Sequence, residues 1–123
     1  MGKKTNLMRR NAHALLSNQF RRDINSVRLN THNTLSHEMA KCKIAYELIK
    51  DGNQIFTEVV FKNGSRADIL CLDTMGIYEI LHSETKKEAL TKTTKYPKSC
   101  HIIYLTSKEV LDEFFDEKID TFK

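Results

Sequence analysis

Between Gln54 and His82 the sequence holds three short runs of β-branched and aromatic residues, separated by two tight turns. Gln54–Lys62 (QIFTEVVFK), Arg66–Leu72 (RADILCL) and Ile77–His82 (IYEILH) read as strands. Asn63-Gly64 is a strong hairpin turn, and Asp73-Thr74-Met75-Gly76 supplies the second. Strands joined by so few residues pair antiparallel, so this stretch predicts a three-stranded meander.

Helical periodicity flanks the meander. Leu35, Met39, Cys42, Ala45/Tyr46 and Ile49 recur at helical spacing, so they are expected to form the inner stripe of a helix. Thr34 or Ser36 can cap it, and Gly52 ends it after Lys50. Further upstream, Met8, Ala12, Leu15/Leu16, Phe20, Ile24 and Val27 predict an amphipathic helix over 6–28. After the meander, Ser83 caps a polar helix over roughly 84–95 that Pro97 ends. Cys100–Leu105 (CHIIYL) is nearly all apolar, as a buried central strand would be. Ser107 then opens a last helix with Val110, Leu111, Phe114, Phe115 and Ile119 inward. The helical crossover returns the fourth strand to the sheet, giving a mixed sheet flanked by helices in an α/β (α+β) fold.

Composition narrows the function classes. With 123 residues and 40% hydrophobic residues, the chain fits one domain with a real but modest core. No apolar run approaches the ~20 residues of a membrane span, and the basic N-terminus lacks the apolar core of a signal peptide. Cys42, Cys71 and Cys100 are odd in number and widely spaced, which fits a reducing cytoplasmic setting rather than a disulfide or zinc framework. The net charge of +4 is uneven. Residues 1–28 carry seven Lys/Arg against one acid, Asp23, so 1–33 reads as a basic arm or helix ahead of a domain at 34–123. Such an arm either attracts polyanions, nucleic acid such as DNA foremost, with Arg9, Arg10, Arg21 and Arg22 as candidate contacts, or is an ordinary solvated terminus.

Side-chain alternation places the acidic residues. If residues 73–76 form the turn, Leu72 pairs with Ile77, Asp68 lies opposite Leu81, and Glu79 lies opposite Leu70. Asp68, Glu79 and Leu81 then share a face, with the carboxylates ~7–8 Å apart or less, on a diagonal. Two such carboxylates suit Mg²⁺ or Mn²⁺ with retained waters. A cation there polarises a phosphodiester and lowers the pKa of a bound water. Glu58 joins the set if the first hairpin loop has three residues and points away if it has two. Glu38 is either a further ligand through water or an acid favoured by the start of its helix. Arg66 either contacts phosphate or flanks the turn.

The segments Gly64-Ser65-Arg66-Ala67-Asp68-Ile69-Leu70 and Tyr78-Glu79-Ile80-Leu81, with Glu38 in the preceding helix, resemble the PD-(D/E)xK superfamily of restriction-endonuclease-like nucleases. The resemblance spans roughly residues 34–106. It implies a metal-dependent DNA endonuclease with Asp68 and Glu79 on the metal, Glu38 as a further acid, and room for a homodimer. Leu81 stands where the family has its lysine, the residue that orients the attacking water and stabilises developing charge. Either an amine arrives from elsewhere, with Lys92, Lys95 and Lys62 as candidates, or the chain is a non-catalytic module that binds nucleic acid or a protein.

Overall fold

The computed structural model describes residues 3–17, 23–81 and 95–111. Helix α1 is Lys3–Ala14 and α2 is Leu35–Lys50; strands β1 to β4 are Ile55–Val60, Arg66–Cys71, Gly76–Leu81 and His101–Thr106. One four-stranded sheet runs in the order β1-β2-β3-β4, so β4 ends the sheet and is half-buried, rather than the buried central strand its apolar run predicts. The first two pairings are antiparallel and β3–β4 is parallel. A mixed α+β fold follows. Residues 107–111 begin a further helix. Most of the expected crossover helix, and the rest of the last one, lie outside the described residues. No described helix is long and apolar enough to cross a membrane.

The two faces of the sheet carry separate cores. Phe56, Val59, Phe61, Ala67, Leu70 and Ile77 pack with Ala12 and Leu16 of the N-terminal segment. Ile55, Ile69 and Ile80 pack with Ala40, Ile44 and Ala45 of α2 and with Val110. The N-terminal helix is shorter than periodicity predicts. Past Ala14 the chain tightens through Leu15 N–H to Ala12 O, and Leu16 then bridges to Phe61. From 23 onward the chain runs beside the open edge of β1. Asn25 N–H donates to Ile55 O, and Thr57 Oγ1 donates to Ser26 O, so part of that edge is covered.

Helix α2 is capped by Thr34, whose side chain accepts from His37 N–H at 3.2 Å. Its phase differs from the expectation. Leu35 and Tyr46 are 77% and 64% exposed, and Met39 also faces outward. The buried side carries His37, Glu38, Ala40, Lys41, Ile44 and Ala45. A face with three ionisable groups is buried because they satisfy one another. The more apolar stripe is left at the surface.

Both turns set registers that alternation alone left open or misplaced. Phe61 N–H donates to Ser65 O around a three-residue loop, and Val59 pairs with Ala67. Glu58 therefore stands level with Asp68. In the second hairpin, Cys71 pairs with Gly76 and Ile69 with Tyr78, so the loop is 72–75. The expected Leu72–Ile77 pairing is two residues out of register. Continued outward, the observed ladder sets Glu79, rather than Leu81, level with Asp68.

Candidate functional site

The site forms where two ladders give way. Thr57 pairs with Ile69 and Val59 with Ala67, but Glu58, between them, has φ 51° and leaves the ladder. A non-glycine residue in the left-handed region costs ~1–3 kcal/mol and persists where surrounding contacts impose it. Here the carboxylate of Glu58 turns to α2 and accepts from Lys41 Nζ at 2.7 Å. On the other side of β2 the ladder to β3 stops at Ile69–Tyr78. Beyond it, Asp68 Oδ2 accepts the Ile80 N–H at 2.9 Å. An aspartate carboxylate thus takes the place of a strand carbonyl.

Asp68 joins two groups. Its Oδ2 lies 3.4 Å from His37 Nε2, and its carboxylate stands beside that of Glu79, on which its charge acts. Glu79 in turn accepts from the hydroxyl of Tyr96. His37 Nδ1 is 2.7 Å from Glu38 Oε2. Glu38 also accepts from the backbone of Asn30, from Asn33 and from Lys41. Lys41 is wholly buried, and its ammonium is divided among Glu38 Oε1, Glu58 Oε1 and Arg28 O at 2.6–2.7 Å. A continuous polar chain therefore runs Glu58–Lys41–Glu38–His37–Asp68–Glu79–Tyr96.

Burial and partners together set the protonation of this chain. Burial and the charge of Asp68 push the Glu79 carboxyl up to about 8, so it keeps its proton at neutral pH. Asp68 is half-buried, but His37, Glu79 and the Ile80 N–H outweigh its desolvation and hold its carboxyl below the usual range. The hydrogen bond to Asp68 raises His37 to about 9 against the effect of burial, so the ring is an imidazolium. For Lys41, hydrogen bonds to Glu38 and Glu58 overcome burial and keep the amine charged. Burial and Glu79 push the Tyr96 hydroxyl up, so it stays a donor.

Two neighbouring carboxyls, one of them protonated, form a donor set suited to a hard divalent cation, which can replace that proton. Among the described residues no group of three or more His, Cys, Asp or Glu is disposed to hold a metal. Asp68 and Glu79 could hold such a cation only with water completing its coordination, as Mg²⁺ commonly allows. Glu58, a candidate ligand, is committed to Lys41.

The other candidates separate clearly. Glu38 is a buried acceptor hub. Lys95 holds its ammonium 5.1 Å from the centre of the Tyr96 ring, near enough that its charge favours ionised Glu79. Lys62 is exposed at the hairpin. Arg9 is paired with Asp73 at 2.7 Å, whereas Arg10 and Arg66 are exposed. Arg21, Arg22 and Lys92 lie outside the described residues. Leu81 is buried and pairs with Thr106; continued register sets it level with Arg66 rather than Asp68. Sequence reasoning missed His37, Lys41 and Tyr96. The spacing His37-Glu38-x-x-Lys41 was the available signal, since those three residues sit within one turn of a helix. Comparison with protein-family models, with characterised proteins and with solved structures finds no match.

Proposed function

We propose that the chain is a metal-dependent nuclease, cutting DNA phosphodiesters at Asp68 and Glu79, as its resemblance to the PD-(D/E)xK superfamily implies. The observation that carries this reading is the placing of Asp68 beside Glu79 where the β2–β3 ladder ends, with Asp68 Oδ2 taking the Ile80 N–H at 2.9 Å. The strand order and directions, an antiparallel meander with a parallel fourth strand, support it as well. Mg²⁺ or Mn²⁺ would supply Lewis-acid polarisation of the phosphodiester.

The residues of the chain divide the remaining work. Asp68 and Glu79 would hold the cation. The Ile80 N–H and His37 orient Asp68, and Tyr96 orients Glu79. Glu38 fixes the imidazolium of His37, and Lys41 fixes Glu38. Lys41 does not serve as the missing motif lysine, because Glu38, Glu58 and Arg28 O take its three hydrogens. Of the candidate lysines among the described residues, Lys95 is the one whose charge acts on Glu79, and we assign the amine role to it.

Cleavage of labelled single-stranded, duplex and branched DNA tests the reading. Wild type is expected to cut in Mg²⁺ and not in EDTA, and Asp68→Asn to abolish cutting. Lys95→Ala is expected to slow it by about two to three orders of magnitude, the usual worth of one positioned donor. If wild type is inert on every substrate, the alternative takes over: a module that binds nucleic acid or a protein without cutting. The burial of Leu81, which leaves no amine at that position, favours that second reading.

A further inference from the structure

A cleft of about 320 Å³ opens beside the polar chain, between the segment leading into α2 and the outer ends of β1 and β2. Its lining includes Arg28, Asn30, Thr31, Glu58, Val60 and Arg66. Arg28 and Arg66 are both exposed, and neither guanidinium has an ion-pair partner among the described residues. The carboxylate in the cleft, Glu58, is compensated by Lys41 at 2.7 Å. The cleft therefore presents two uncompensated planar cations to an incoming ligand.

Position along β2 relates the cleft to the site. Ala67 points into the core shared with Leu16 and Phe61. Arg66 therefore leaves the strand on the opposite side, that of α2, where Asp68 meets His37. Arg66 is two residues from Asp68 on the same strand. Arg28 is tied to the same assembly through its backbone: its carbonyl accepts from Lys41 and its N–H donates to Thr57 Oγ1. Both backbones are anchored while both side chains are exposed. Arginine's fork of donors matches phosphate oxygens in pairs.

We propose that the Arg28–Arg66 cleft binds the phosphodiester backbone of nucleic acid next to the Asp68–Glu79 pair. For the position of the cut the proposal rests on the nuclease reading; for binding it stands by itself. Arg66 grips the phosphate nearest the pair and Arg28 the next one along, so the strand enters over Glu58 and passes Asp68. Lys41 holds the floor of this path by pinning Glu58 away from the phosphates.

The test is the salt dependence of binding to a fluorescein-labelled oligonucleotide, as single strand and as duplex, in EDTA so that no cutting intervenes. Each lost phosphate contact flattens the plot of log affinity against log salt by about 0.7 for single strands and about 0.9 for duplex. Arg28→Ala and Arg66→Ala are each expected to flatten it by that amount, and the double variant by about twice as much. Lys50→Ala, an exposed cation at the far end of α2, serves as control and is expected to change the slope less. The paired lysine variants Arg28→Lys and Arg66→Lys keep the charge and are expected to keep the slope. A double alanine variant with the wild-type slope overturns the cleft, as does lysine replacement that costs as much as alanine, or a wild type that binds neither probe. If the slope flattens as expected but no preparation cuts, the cleft stands and the nuclease reading fails. If Asp68→Asn abolishes cutting while the double variant binds normally, the nuclease reading stands and the cleft fails.

Discussion

Lys41 and Glu58 are 17 residues apart in sequence, and their 2.7 Å contact ties α2 to the one residue of β1 that leaves its ladder. The pair fixes both partners. Glu58 accepts an unfavourable φ, and Lys41 gives up all its solvent. Breaking one side of a buried pair strands the other charge, which typically costs ~3–5 kcal/mol. Lys41→Met is expected to lower stability to urea by about that much, since it strands Glu58 and leaves Glu38 with His37 as its remaining cation. Glu58→Gln keeps a hydrogen-bond acceptor and is expected to cost clearly less. A Lys41→Met protein as stable as wild type would show that the pair is not buried.

Stability is expected to fall as pH rises. Glu79 is raised from 4.5 to about 8 and His37 from 6.5 to about 9. Both hold a proton more tightly folded than unfolded. Their contribution is therefore complete below the ordinary values, drains from 4.5 to about 8 for Glu79 and from 6.5 to about 9 for His37, and is gone above. Asp68 acts in the opposite sense, with its contribution lost only as pH falls below its ordinary 3.8. Thermal midpoints measured across this range test the signs. Glu79→Gln should remove the lower part of the decline and leave the His37 part. A wild-type profile that rises from neutral to alkaline pH would contradict the assignment.

The phase of α2 can be tested by contrast. Leu35→Ser and Tyr46→Ser replace large apolar residues that are exposed, so each should change stability by no more than about 0.5 kcal/mol. Ile44→Ala removes a buried side chain packed with Ile55 and Ile69, and should cost ~2–4 kcal/mol. Chemical denaturation of the three variants decides. The reverse ranking would restore the stripe that periodicity favoured.

That helix also shows what a sequence reveals and what it conceals. Strand runs such as IFTEVV and IYEIL were legible because β-branched and aromatic residues crowd them between turn residues. Asp68 and Glu79 stood out because they interrupt those runs. Register was harder, because distant contacts decide it. Leu72 N–H is taken by Gln54 O, and Asp73 binds both the Gln54 N–H and Arg9, so the second turn begins one residue sooner. Pattern reading also favoured Leu35, Met39, Cys42 and Tyr46 as the inner face of α2 on hydrophobicity alone. It could not weigh His37, Glu38 and Lys41, whose burial is tolerable only because Asp68 and Glu58 meet them from the sheet.

The most direct measurement of the central claim, that Asp68 and Glu79 form a cation site by giving up the proton of Glu79, is calorimetric titration with Mn²⁺ or Mg²⁺. It is run in two buffers of different ionisation enthalpy, so that protons released on binding are counted. At neutral pH, where Glu79 is protonated, binding should release about one proton per cation, and above the pKa of about 8 the release should vanish. Asp68→Asn should remove the heat of binding. Equal heats from wild type and Asp68→Asn, or binding at neutral pH with no proton released, would contradict the claim.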